Sequence, residues 1–319
     1  MQNILRTVVV VAASLAGLAP ALAQYPTKPV RLIVPFAPGG PTDTAARIVG
    51  QKLGEQMNQS FVVENKPGAD GLIGAESVAK SAADGYVLLV ANDAILTINP
   101  VLYAKLPYDP VKSFAAISML TRQPYLISVN AKSPFKSLPD LLDYAKAHPG
   151  KLNYGAGATN PMMAGELFKI TTGTHLELIR FKGAAPNIQA LLSETIDVAF
   201  SDIGTAHAHI RQGRLRAIAT TGLHRATSLP DVPTVAESYP GFELHFWNGL
   251  VAPSGTTKEI VDKLSREVRA ALEAPDIGGK LRSLGYDAKA SSPEEFAAFI
   301  ATDTEKWRKV VAATGVRLD

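Results

Sequence analysis

The stretch Val34-Pro35-Phe36-Ala37-Pro38-Gly39-Gly40-Pro41-Thr42-Asp43 joins an apolar run to the head of an amphipathic pattern through a glycine pair. That combination can hold an anion. Gly39 and Gly40 lack a Cβ, so backbone N–H groups can come close to a ligand, and the helix behind them offers unpaired N–H groups and the positive end of its dipole. An ordinary strand-to-helix turn capped by Thr42 or Asp43 would use the same residues. A second segment repeats the logic: Asn153-Tyr154-Gly155-Ala156-Gly157-Ala158-Thr159-Asn160-Pro161 runs from a strand candidate through small residues into a helix. Two facing helix starts can share one carboxylate. Phe181-Lys182-Gly183-Ala184-Ala185-Pro186 and Phe200-Ser201-Asp202-Ile203-Gly204-Thr205 add two further turns, the second with an acid. Asp202 reads as a partner for a donor group of the ligand, or as a helix cap. All four turns follow the carboxyl ends of strand candidates, where open α/β sheets bind ligands.

Other chemistries find less footing. With Gly71 and Gly74 as the last two glycines of a dinucleotide fingerprint, the first belongs at position 69, which is Ala69. No phosphate loop of the G-x-x-x-x-G-K-[ST] type and no G-x-S-x-G elbow occurs. The histidines, His148, His175, His207, His209, His224 and His245, are scattered without metal-ligand spacing, and His207 and His209 point to different sides of a helix. They are expected to be solvated or satisfied locally. The absence of cysteine removes thiol catalysis and cysteine metal sites. The acids nominate no general acid and base pair. The formal charge of +3 comes from interspersed Lys and Arg with no basic tract, so no nucleic-acid partner is expected. A binding role without metal or cofactor is the expectation, not an enzyme.

The elements that must position these turns read as α/β. Strand candidates Val30–Phe36, Phe61–Glu64, Tyr86–Ala91, Tyr125–Val129, Leu152–Gly155, Leu176–Phe181, Val198–Ser201, Ala217–Thr221 and Leu244–Val251 are mostly continuous apolar runs, as parallel strands covered on both faces require. Helical patterns fall between them. In Thr44–Met57, Ala45, Ile48, Val49, Leu53 and Met57 recur near the 3.6-residue period. Lys258–Glu273 and Ser292–Val311 read as helices with no strand between them. A chain of 319 residues suits two lobes. Crossings near Arg122–Pro124 and in Leu229–Pro240 give residues 24–123 plus 232–319 as lobe 1 and 124–231 as lobe 2. Arg6, the apolar run Thr7 to Ala19 and Pro20-Ala21-Leu22-Ala23 read as a cleaved secretory leader over residues 1–23.

From about Tyr25 onward the chain resembles the substrate-binding receptors of tripartite tricarboxylate transporters, the Bug family. The resemblance rests on Tyr25-Pro26-Thr27-Lys28-Pro29-Val30-Arg31-Leu32-Ile33-Val34-Pro35-Phe36, the Pro38-Gly39-Gly40 and Asp43 loop, Val63-Glu64-Asn65-Lys66-Pro67-Gly68-Ala69, Asp84-Gly85-Tyr86, Ile98-Asn99-Pro100, Leu106-Pro107-Tyr108-Asp109-Pro110, Ala164-Gly165-Glu166-Leu167-Phe168, Lys182-Gly183 and Leu229-Pro230-Asp231-Val232-Pro233-Thr234. It implies a two-lobed Venus-flytrap fold of the type II periplasmic-binding-protein class, each lobe a mixed, mostly parallel sheet flanked by helices. It further implies a monomer in the periplasm that holds a small carboxylate by helix N-termini and ordered water and delivers it to membrane permease subunits. Ligand contact is carried onto Phe36, Pro38, Gly39, Gly40, Thr42 and Asp43 in lobe 1, and onto Gly157, Thr159, Lys182, Gly183 and Asp202 in lobe 2. Ala158, Asn160 and Phe181 lie in the same turns, and Asn92 and Asp93 follow the strand Tyr86–Ala91, placed to reach the far end of a ligand. Where the family has Ser-Thr-x-His this chain has Thr159-Asn160-Pro161-Met162, and Phe181-Lys182-Gly183 stands for Tyr-Lys-Gly; Trp247-Asn248-Gly249 keeps the family pattern. Met162 and Phe181 either make the cleft less polar, suiting a ligand with an apolar or aromatic body, or pack away from it. A periplasmic sensor of the same fold, feeding a signalling partner, is the alternative.

Overall fold

The computed structural model describes residues 25–318, so the leader expected over residues 1–23 lies outside them. Strands β1 (Val30–Val34), β2 (Phe61–Asn65) and β3 (Val87–Asn92) pair in parallel, with Ile33 opposite both Glu64 and Leu89. Val30, Leu32, Ile33 and Val34 are buried because helices cover both faces of β1, which is why the run shows no polar alternation. A second group, β5 (Leu152–Ala156), β6 (Leu176–Arg180) and β7 (Val198–Asp202), is parallel in the same way. The centre differs. Strand β4 (Phe114–Asn130) pairs antiparallel with β9 (His245–Pro253) from Phe114 to Pro124, then with β7 and β8 (Leu215–Thr220) from Tyr125 to Asn130. β9 pairs antiparallel with β3, so the sheet runs β2-β1-β3-β9-β4-β7-β5-β6. One long strand therefore belongs to both halves of the molecule and changes partners at Pro124–Tyr125.

Helices flank each half: α1 (Pro41–Met57) and α2 (Leu72–Ala79) follow β1 and β2, a π-helical turn Ala94–Ile98 leads into the short α3 (Asn99–Leu102), and α4 (Leu138–Ala147), α5 (Thr159–Thr172), α6 (Ala184–Leu192) and α7 (Ile203–Arg211) serve the second half. The C-terminal segment adds α8 (Lys258–Glu273), α9 (Pro275–Ser283), strand β10 (Asp287–Ala288) and α10 (Pro293–Thr314). Helix α10 spans the halves: Phe296 and Ile300 pack with Trp247 of β9, whereas Trp307, Val310 and Val311 join the core of Tyr125, Ile127 and Phe200. Val235, Phe242 and Leu244 belong to that second core as well.

Two expectations are corrected. The strand expected to begin at Tyr125 begins at Phe114, because its first part buries Ser118, Thr121 and Gln123 between neighbours and so lacks an apolar signature. Between the two C-terminal helices a helix and a strand intervene: β10 exists only by pairing with Thr121 and Arg122, a contact invisible in its own residues.

Candidate functional site

Four helices begin at one cavity, and three of them have no side-chain cap. Gly40 precedes α1, Ala158 precedes α5 and Gly183 precedes α6, each without a capping hydrogen bond. Ser137, Asp202, Thr234 and Ser292 cap other helices with their side chains in the usual way. The uncapped starts leave first-turn N–H groups, and the positive dipole ends, free for a ligand. Gly183 (φ +114) and Gly157 lie back to back: the Gly183 amide donates to Gly157 O at 3.0 Å, and a Cβ on Gly157 would sit 2.3 Å from Gly183 O. Only a glycine fits there.

The cavity measures about 500 Å³. Of the residues expected from sequence, Phe36, Pro38, Gly39, Gly40, Thr42 and Asn92 line it from one half, and Gly157, Ala158, Asn160, Lys182, Gly183 and Asp202 from the other. Four stand behind the wall. Asp43 turns back to brace its own loop, accepting from the Gly39 amide, Arg47 Nε and Asn65 Nδ2, each at 2.9 Å. Burial pushes its carboxyl up, but these hydrogen bonds outweigh burial and hold it below the usual carboxylate range. Asp93 lies fully buried beneath the floor and accepts from Tyr125 OH at 2.9 Å and from Asn160 Nδ2 at 3.1 Å. Burial, then the neighbouring Asp303 charge, push it up to about 8. Thr159 is buried, and the Phe181 ring packs toward Gly155. Met162 is in the core with Phe168, so neither Met162 nor Phe181 reaches the cavity, although Asn160 of the same departing segment does.

Sequence reasoning missed Tyr125, Phe200 and Phe246, which give the cavity an apolar flank with Ile188, and it expected His209 to be solvated or satisfied locally. His209 lines the cavity on α7. The signal was the spacing Asp202, Thr205, His209, which repeats near the helical turn and puts all three on one face. The aromatic contributors give no local signal, because their strands are buried on every side. Asp202 caps α7, accepting from the Thr205 amide and hydroxyl, both at 2.9 Å; burial raises its carboxyl in spite of them. Ser201 Oγ and His209 Nδ1 have no hydrogen-bond partner among the described residues, so Ser201, His209 and Asp202 share a wall without forming a nucleophile–base–acid relay there. Among the described residues no group of His, Asp and Glu is arranged to hold a metal ion. What the arrangement can do is bind an anionic group by backbone amides beside an apolar surface.

Comparison with known proteins agrees with this geometry. The model of the tripartite tricarboxylate transporter family receptor matches residues 45–316. BugT of Bordetella pertussis is 35% identical over 298 residues, which are 92% of this chain and 91% of that protein. Among solved structures, R. palustris Rpa4515 with adipate is similar at 34% identity and a TM-score of 0.87, covering 92% of this chain and 99% of that one. MatC from Rhodopseudomonas palustris, with bound malate, is similar at 31% identity and a TM-score of 0.81, covering 90% and 100%. The fold is that of the two-lobed α/β periplasmic solute-binding proteins. A match over most of the length, and a cleft built from the same glycine turns on which the resemblance rested, place this chain in the tripartite tricarboxylate transporter receptor family, among the Bug receptors.

Proposed function

We propose that this chain is an extracytoplasmic receptor, not an enzyme, that captures a small carboxylate in the cleft and hands it to the membrane permease subunits of a tripartite tricarboxylate-type transporter. The observation that carries the reading is the convergence of three uncapped helix starts, at Gly40, Ala158 and Gly183, on one cavity. Adipate on Rpa4515 and malate on MatC support a carboxylate as the recognised group. The apolar flank of Phe36, Tyr125, Ile188, Phe200 and Phe246 favours a ligand with an apolar or aromatic body behind that group. The lobes divide at Pro124–Tyr125, where β4 changes partners, and at Phe246–Trp247, where β9 passes from the core of Tyr125 and Ile127 to that of Phe296 and Ile300. Residues 1–23 direct export and are removed, and the mature receptor works as a periplasmic monomer. Among the described residues no helix is long and apolar enough to cross a membrane.

The test is a thermal-shift panel of aliphatic and aromatic mono- and dicarboxylates on the wild type and on Gly40→Val. Ligand at 100 times its Kd stabilises the wild type by about 2.7 kcal/mol. A Cβ on Gly40 meets only Ala37 O, at 3.7 Å, so the variant keeps its fold while the side chain fills the approach to the α1 amides. Gly40→Val is therefore expected to melt close to the wild type without ligand and to lose the ligand-induced rise. No rise in the wild type across the panel, or an undiminished rise in the variant, would overturn the reading.

A further inference from the structure

Beside the cleft, a bridge joins the halves without touching the cavity wall. Arg180, the last residue of β6, reaches Asp70 Oδ2 with Nη2 at 3.2 Å. Two residues later Lys182 lines the cavity, and the glycine after Asp70 lies against the ring of Phe36, another lining residue: a Cβ on Gly71 would come within 3.2 Å of Phe36 Cζ. Asp70 is held for this contact by residues of the α3 segment. Tyr103 OH donates to the same Oδ2 at 2.9 Å, and Asn99 Nδ2 donates to the Asp70 carbonyl at 3.3 Å. The backbone is unusual as well: Gly68, Ala69, Asp70 and Gly71 have φ of +136°, +46°, +49° and +88°. Two side-chain-bearing residues in succession occupy the left-handed region, which L-residues rarely adopt. Local strain of this kind persists where the surroundings over-determine it, and it marks places where a group is held ready.

An isolated, part-exposed ion pair contributes little to folding. A pair that spans two lobes acts differently, because it forms only when they are together, and all of its free energy then favours that conformation. We propose that Asp70 is a positioning residue that sets cleft closure by clasping Arg180, and so tunes ligand retention without contacting the ligand. The clasp rests on the reading of the chain as a receptor with two closing lobes, but its test needs no ligand.

The chain has no cysteine, so Val111→Cys and Ile170→Cys, at exposed positions one in each half, place a spin-label pair cleanly. The interlobe distance distribution of the ligand-free protein is measured in this background alone, with Asp70→Asn, with Arg180→Gln, and with the swap Asp70→Arg/Arg180→Asp. Each single variant is expected to move the closed-to-open ratio toward open by about two- to fivefold, the range for a part-exposed pair. The swap is expected to restore part of the closed population. Raising the salt concentration is expected to open the parent and leave Asp70→Asn unchanged, because an exposed pair is screened. Unchanged distributions in the single variants would overturn the clasp. So would opening in Asp70→Asn with none in Arg180→Gln and no recovery in the swap, which would assign Asp70 to bracing Tyr103 alone. Failure of the carboxylate panel beside a positive result here would count against the ligand and leave the clasp standing.

Discussion

Asp43 and Asp93 are buried carboxylates in opposite electrostatic surroundings. Asp43 gains Arg47, Asn65 and the Gly39 amide on folding, and its folded value lies below its unfolded one. Its contribution is therefore present above the ordinary carboxylate value of about 4 and is lost as the pH falls through the depressed value. Asp43→Asn is expected to cost about 1–3 kcal/mol at pH 7, by urea unfolding, with the gap to wild type narrowing toward pH 3. Asp93 gains a folded value of about 8, so the folded state keeps a proton that the unfolded chain gives up. Its contribution is full below about pH 4 and fades as the pH rises through that folded value, with a slope of up to about 1.4 kcal/mol per pH unit. Asp93→Asn is expected to flatten the dependence of unfolding free energy between pH 5 and 8. A variant with the same slope as wild type would show that Asp93 holds no proton.

The working elements are helix starts, defined by what they lack. Gly40, Ala158 and Gly183 offer no capping oxygen, whereas Ser292 and Glu295 form a full capping box on α10, away from the cleft. The α5 and α6 turns are in contact, so their relative placement depends on Gly157. Gly157→Ala brings a methyl to 2.3 Å from a carbonyl oxygen and 2.5 Å from its carbon, both backbone atoms that cannot swing aside. The variant is expected to lose about 1–3 kcal/mol of stability by overpacking, and most of its ligand-induced thermal shift because two of the three amide groups separate. Gly40→Val loses the shift alone, so the pair separates blocking the cleft from deforming it.

At the scale of the whole molecule, β4 and β9 carry the chain between halves while α10 leans on both cores. Closure must then bend the two strands near Pro124 and His245 and shift one core along α10. Ligand is expected to reduce the radius of gyration measured by small-angle scattering, and the Arg180–Asp70 contact biases that equilibrium before ligand arrives. Asn160, at the head of α5, and Tyr125, at the crossing, both donate to Asp93, so the cleft floor also ties the halves together.

Features whose physics is local could be read from consecutive residues alone. Glycines and small residues ahead of helical patterns mark turns where amides are exposed, and continuous apolar runs mark strands buried on both faces; both are properties of a few consecutive residues. The α/β class and the four turns were legible on that basis, and the family from its resemblance over many segments in one order. Folding alone brings the starts near positions 40, 158 and 183 together, turns Asp43 onto its own loop, puts Asp93 under the floor and adds His209 and Tyr125 to the wall. Each of these depends on which distant segment arrives as a neighbour, and a carboxylate or an aromatic ring carries no mark in its own sequence of the partner that will claim it.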